Sequence, residues 1–144
     1  MCDHKKKDCI FCDIEKDDKT NILYKDEKVI VFPDIRPAAM HHYLAIPTKH
    51  IDHNGQLNSS HVDLVKALVE AGLSVLETKN GVKEDVRLGF HRSPFHTVGH
   101  LHLHIISPVS QLGYVSRLIF RENSYWFTTA DSLLAEIEKK PPPE

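Results

Sequence analysis

His100-Leu101-His102-Leu103-His104-Ile105-Ile106 alternates three histidines with apolar residues and gives way to Ser107-Pro108. Strict alternation is the period of a β-strand, so successive side chains point to opposite faces. Leu101, Leu103 and Ile105 are therefore expected in a core. His100, His102 and His104 are expected in one row on the other face. Alternate residues on a strand lie about 6.6–6.8 Å apart, so the row is compact enough to meet one small ligand.

Three chemistries fit such a row. It can be a solvated strand face, although histidine is not a favoured strand former. It can chelate zinc or another metal, which would make the chain a metal-dependent hydrolase. It can also act on phosphorus. With an ordinary pKa of about 6.5, one neutral ring attacks while a neighbour donates a proton or a positive charge.

Working outward, Val86 to Phe90 reads as a strand feeding the loop Arg92-Ser93-Pro94-Phe95-His96-Thr97-Val98-Gly99. Ser60 to Asp63 has the S-x-x-D capping spacing. Val62, Val65, Leu68, Val69, Gly72, Leu73 and Leu76 follow as an apolar stripe, so a long helix is expected from Ser60 to a stop at Asn80-Gly81. His41 to Pro47 reads as a strand, and His53 and His61 as surface residues. Ile22 to Tyr24 and Val29 to Phe32 read as two more strands, turned by Lys25-Asp26-Glu27-Lys28 without the favoured Asn-Gly. The unbroken apolar run Val29-Ile30-Val31-Phe32 suits a strand covered on both faces. Pro33 and Pro37 then bracket Asp34-Ile35-Arg36, a loop in which aspartate ordinarily caps a turn.

Downstream, residues 111–122 have mixed periodicity and give no element. Asn123-Ser124-Tyr125-Trp126-Phe127 is expected to cover the core or a dimer seam. Asp131 to Lys139 reads as a short helix ended by Pro141-Pro142-Pro143. The pattern predicts an α+β fold: an antiparallel sheet of about five strands, one long helix and a C-terminal helix. Residues 1–8 read as a flexible tail, 9–140 as one domain and 141–144 as a Pro-rich tail.

Composition narrows the function classes. Of 144 residues, 41% are apolar, enough for a core, and 26% are charged. The net charge of −2 and a pI near 6.6 do not suit a general nucleic-acid binder. No apolar run is long enough to span a membrane, and Met1 to Lys7 lacks the apolar stretch of a secretory leader. Three cysteines, all near the N-terminus, do not make a disulfide framework, so the expected compartment is the cytoplasm, with the nucleus second. Cys9-x-x-Cys12 can be a redox pair, half of a metal site or two buried thiols.

The run from His100 to Ile106 is also the His-φ-His-φ-His-φ-φ signature, with φ apolar, of the histidine triad superfamily of nucleotide hydrolases and transferases. Cys9-Ile10-Phe11-Cys12, Val31-Phe32-Pro33-Asp34-Ile35 and His42-Tyr43-Leu44-Ala45-Ile46-Pro47-Thr48-Lys49-His50 follow the same family in order. Leu88-Gly89-Phe90-His91 with Pro94, and Asn123 to Asp131, resemble its Hint branch of adenosine 5′-monophosphoramidases. Aprataxin-like DNA-adenylate hydrolases come second, over Gly89 to Ser107. Those carry a further zinc finger, and no cysteine follows Cys12 here.

The resemblance implies that His102 attacks the α-phosphorus of an AMP conjugate to form a covalent nucleotidyl-histidine. His100 and His104 would orient the nucleophile or hold phosphate oxygens. Asp34 would bind the ribose hydroxyls, Phe32 and Ile35 would sandwich the base, and Thr97 would donate to an oxygen or the leaving group. No cofactor is implied for the chemistry. A structural zinc on Cys9, Cys12, His50 and His100 is implied by relatives that carry the same pair of cysteines, and so is a homodimer. Phe95 and His96 depart from the branch's Gly-Gln before the triad, and Gly89 stands where an asparagine is usual. Arg92 and His96 are candidates to replace those contacts. A nucleotide-binding regulator without useful turnover remains as a non-enzymatic reading.

Overall fold

The computed structural model describes residues 9, 11, 12, 14, 21–92 and 99–143. Residues 1–8, His96 and Thr97 lie outside the described residues. Six strands form one antiparallel sheet: β1 (Tyr24–Lys25), β2 (Val29–Pro33), β3 (His41–Pro47), β4 (Arg87–His91), β5 (Leu103–Ser107) and β6 (Phe127–Thr129). Their order is β1-β2-β3-β5-β4-β6. The expected count of about five is exceeded by β6, a short edge strand inside the aromatic run that sequence alone did not resolve. Helices α1 (Val62–Thr78), α2 (Tyr114–Ile119) and α3 (Ala130–Glu138) complete the fold.

The sheet is covered on both faces. Val29, Val31, Tyr43, Ala45, Phe90, Leu101, Leu103 and Ile105 join α1 and α3 in the main core. Ile30, Phe32, Leu44 and Ile46 meet Phe11 and Ile14 on the opposite face, and Ile106 meets Phe120 and Phe127 there. Every residue from Val29 to Phe32 is buried, as a doubly covered strand requires. Helix α1 lies close against the back of the triad strand. A methyl group on Gly72 would sit 2.6 Å from Ile105 Cγ1, so only glycine permits that approach.

Several boundaries differ from expectation. Strand β1 begins at Tyr24, and its turn is built by Asp26, whose Oδ1 accepts from the backbone N–H groups of Lys28 (2.7 Å) and Val29 (2.8 Å). A side-chain-stabilised turn of this kind replaces Asn-Gly. The capping box before α1 belongs to Asn58 and His61 rather than to Ser60 and Asp63. Asn58 Oδ1 accepts from Ser60 N–H, and His61 Nδ1 accepts from Asn58 N–H, both at 3.0 Å. Ser59–His61 is accordingly a 3-10 turn, and α1 starts at Val62. At the far end Asn80, with φ 62°, takes the left-handed position ahead of Gly81. Residues left without an element become α2. Of the aromatic run, Phe127 is fully buried, Trp126 Nε1 donates to the Leu118 carbonyl at 2.8 Å, and Tyr125 is exposed.

The triad stretch keeps its alternation but enters the ladder only at Leu103. Leu101 N–H donates instead to the Ile51 carbonyl, which ties the segment before β5 to the chain leaving β3. Among the described residues, no helix is long and apolar enough to cross a membrane.

Candidate active site

His102 and His104 stand on the sheet face opposite α1, both buried. His102 Nδ1 lies 2.8 Å from the His100 carbonyl oxygen. A carbonyl only accepts, so Nδ1 carries the proton and Nε2 carries the lone pair. That is the tautomer an imidazole nucleophile requires. The Phe11 ring stands edge-on to His102, with centroids 5.4 Å apart.

His104 is held by two histidines that the sequence reading left without a role. His42 Nε2 lies 2.9 Å from His104 Nδ1, and His91 Nδ1 lies 3.3 Å from His104 Nε2. In register, His42 opposes Ile106 and Leu44 opposes His104, so His42 and His104 are diagonal neighbours on one face. Gly89 opposes His104, which puts His91 on the same face from β4. Parity along β3 and β4 was the available signal: His42 alternates with Tyr43, and His91 with Phe90. It becomes decisive only when the strand register is known. Burial beside Phe120 holds the His42 pKa down to about 4, against the opposing pull of Asp34, whose Oδ2 is 3.4 Å away. Burial also holds His104 well below its ordinary value.

The three triad rings do not converge on a common ion. His102 uses Nδ1 on a backbone carbonyl, His104 uses Nδ1 on His42, and His100 turns its Nδ1 to the cysteines. This arrangement disfavours the triad as a three-histidine metal site. Asp34, His42 and His104 do cluster. However, Ala38 N–H donates to His42 Nδ1 at 2.9 Å, which puts the His42 proton on Nε2, where a metal would need a lone pair.

His100 instead meets the cysteines. Its Nδ1 is 3.5 Å from the Sγ of both Cys9 and Cys12, and His50 Nδ1 is 3.1 Å from Cys12 Sγ. All four donor atoms lie within 4.8 Å of one another. A tetrahedral zinc with bonds of about 2.3 Å to sulfur and 2.0–2.1 Å to nitrogen separates S from N by about 3.5 Å. The outer contacts fit as well. His100 Nε2 donates to the Pro47 carbonyl at 3.0 Å and His50 Nε2 donates to Asp52, so both rings turn their Nδ1 lone pairs to the sulfurs. The residues present therefore fit zinc. Burial holds the His100 pKa down to about 4.

The remaining sequence candidates are spread around this centre. Phe32 is buried, edge-on to Phe11 at 5.4 Å, while Ile35 is 92% exposed. Asp34 Oδ1 accepts from Arg36 N–H at 2.8 Å, the turn-capping role expected of a loop aspartate. Arg92 faces Glu136 at the surface, 3.9 Å away. Gly89 packs under Phe127, so the side chain that reaches the triad from β4 is His91.

Residues 8–119 match the family model described as scavenger mRNA decapping enzyme C-term binding. The chain is 32% identical to a solved HIT family hydrolase from Clostridium thermocellum, with a TM-score of 0.63, covering 71% of this chain and 91% of that one. The chain belongs to the histidine triad family. Within the family it is 47% identical over 133 residues to the adenosine 5′-monophosphoramidase HINT3 of Xenopus tropicalis, covering 90% of this chain and 87% of that protein. It is 43% identical over 112 residues to the bifunctional adenosine 5′-phosphosulfate phosphorylase/adenylylsulfatase HINT4 of Arabidopsis thaliana, covering 76% and 73%. Aprataxin of Danio rerio matches at 36% over 86 residues, covering 59% of this chain and 26% of that protein. The Hint-branch resemblance read from Leu88 to Pro94 and from Asn123 to Asp131 therefore holds, with aprataxins behind it.

Proposed function

We propose that this chain hydrolyses adenosine 5′-phosphoramidates to AMP, with His102 as the nucleophile. The observation that carries the reading is the His102 tautomer: Nδ1 donates to the His100 carbonyl, which makes Nε2 the ring atom that bears the nucleophilic lone pair. His102 Nε2 bonds to the α-phosphorus, the P–N bond breaks, and the nitrogen leaves as an amine after taking a proton. Water then adds to phosphorus and the P–Nε2 bond breaks, which releases AMP and regenerates the ring. Two displacements replace one difficult one. His104 offers a donor to the phosphoryl oxygens, where charge builds up. His100 acts as a positioning residue through its backbone carbonyl.

Asp34 accepts from the ribose hydroxyls, and Ile35 gives the base an exposed apolar face above Phe32. Thr97 donates on the leaving-group side. Zinc, held by Cys9, Cys12, His50 and His100, supplies structural cross-linking beside His102 and takes no part in the displacement. The chain acts as a homodimer in the cytoplasm and nucleus. Incubation with adenosine 5′-phosphoramidate, followed by a quench without acid and intact mass, tests the central claim. The expected result is one adenylyl group per chain on the wild type and none on His102→Ala. Turnover without any adduct in rapidly quenched samples would overturn the covalent route.

A further inference from the structure

The contacts around His104 form one directional chain with a backbone group at each end. Ala38 N–H donates to His42 Nδ1 at 2.9 Å, and His91 Nε2 lies 3.1 Å from the Ile119 carbonyl. A backbone N–H can only donate and a carbonyl can only accept. Starting from Ala38, neutral His42 must carry its proton on Nε2, which donates to His104 Nδ1 at 2.9 Å. Neutral His104 must then carry its proton on Nε2, which donates to His91 Nδ1 at 3.3 Å. His91 in turn carries its proton on Nε2, the nitrogen that faces Ile119. Starting from Ile119 gives the same assignment. Asp34 Oδ2, 3.4 Å from His42 Nε2, also calls for a proton there. Burial keeps His42 and His104 neutral, so no extra proton blurs the order.

We infer that His91 is a positioning residue for His104: with His42 it fixes the proton on Nε2, and its own Nδ1 accepts that proton and holds the N–H edge in place. Phosphoryl oxygens only accept hydrogen bonds, so an N–H edge on His104 attracts them and a lone-pair edge repels them. The His104–His91 contact is the longest link of the chain, so its proton is the one most readily turned toward a phosphoryl oxygen when substrate arrives. His91 sits on β4 and its far nitrogen is anchored on the last residue of α2, so α2 takes part in holding that N–H edge at the reaction centre. Phe120 and Phe127 flank the His91 ring at 5.2 and 5.1 Å and keep it in place.

The inference rests on the proposed phosphoramidase reading, but its first readout does not. Ring-nitrogen NMR of histidine-labelled full-length protein reports each tautomer directly. In the wild type, His42, His104 and His91 are expected to be protonated on Nε2. His91→Phe keeps a flat ring but accepts nothing, so the His104 Nε2 proton should lose its hydrogen-bonded shift and exchange faster with solvent, while His42 keeps the tautomer itself. The kcat should fall by about tenfold or more while KM stays within about threefold, because the lost donor acts where charge develops. His91→Asn, whose amide oxygen can accept in place of Nδ1, should restore the hydrogen-bonded shift of the His104 Nε2 proton and most of kcat. An unchanged shift and exchange rate of the His104 Nε2 proton in His91→Phe, with kcat within about twofold, would overturn the inference. So would equal kcat losses and equal drops in melting temperature in both variants, the signature of simple loss of packing. If the wild type turns over no phosphoramidate, the proposed function fails while the His104 Nε2 proton signal still decides the role of His91.

Discussion

His102 turns its Nδ1 to the carbonyl oxygen of His100, 2.8 Å away and two residues earlier in the chain. His102 is therefore oriented by the backbone of its own strand, while the ring of His100 turns its Nδ1 to the cysteines. A triad histidine can in this way serve the site without touching substrate. The family resemblance implies two tasks for His100, as a zinc ligand and as an aid to His102. The geometry divides the two tasks between side chain and main chain.

His102→Ala removes the attacking nitrogen and little else. Turnover should fall by about 10²-fold or more, while AMP binding stays within about tenfold, since phosphate and ribose contacts carry ground-state affinity. Steady-state kinetics together with equilibrium AMP titration checks both halves. A variant keeping more than about a tenth of the wild-type rate would remove His102 from the nucleophile role.

Asp34→Ala should raise KM for adenosine substrates by about tenfold, the value of a charge-assisted hydrogen bond. The loss should be far smaller for 2′,3′-dideoxy analogues, which lack the hydroxyls. Equal losses for both substrates would mean that Asp34 acts only through its contacts with Arg36 N–H and His42.

Stability should decline as the solution is acidified through the histidine range. His42 titrates near 6.5 when unfolded and about 4 when folded, and His104 is shifted in the same direction, both mainly by burial. Between about pH 4 and 6.5 the unfolded chain thus binds more protons than the folded one, so unfolding is favoured as pH falls and the full stability is present only above that window. Each such histidine contributes a slope of about 1.4 kcal/mol per pH unit inside the window. Urea unfolding at several pH values measures it. A flat profile between pH 7 and 5 would contradict the buried neutral rings.

Gly89→Ala should destabilise the fold by about 1–3 kcal/mol, the range for overpacking a filled site. A methyl group there would lie 2.5 Å from the Phe127 ring and from the Thr128 carbonyl oxygen. Among the described residues nothing lies within 4 Å of a methyl group on Gly99, so Gly99→Ala should be close to neutral in the same thermal melt.

Much of the chemistry was legible because it follows local periodicity. The alternation from His100 to Ile106 correctly assigned Leu101, Leu103 and Ile105 to the core. The stripe from Val65 to Leu76 correctly gave α1 its buried face. What stayed hidden depends on register. His42 and His104 are 62 residues apart, and only the pairing of β3 with β5 puts them in contact. The same holds for His91, whose neighbours come from β5 and α2. Caps failed for a different reason. Asn58 and His61 form a capping box with histidine in place of the usual Glu or Gln, so the more familiar Ser60-x-x-Asp63 spacing put the cap two residues after Asn58 and the helix start two residues before Val62.

Zinc removal should lower stability more than chemistry. Cys9, Cys12, His50 and His100 gather chain segments that are distant in sequence, from the N-terminal Cys-x-x-Cys to the start of the triad strand. Metal bound to such a set contributes directly to folding free energy, because the unfolded chain does not preform the site. Protein purified without added metal should carry about one zinc per chain by elemental analysis, in keeping with a closed four-ligand site. A chelator should lower the melting temperature clearly, while the residual folded fraction keeps most of its kcat, since His102 takes its orientation from a backbone carbonyl and not from the metal. Cys12→Ser should copy the chelator. Zinc well below one per chain, with both thiols readily titrated in the folded protein, would instead mean that the sulfurs donate S–H bonds to the Nδ1 atoms of His50 and His100. Complete loss of activity on chelation at an unchanged melting temperature would point to a metal in the reaction itself.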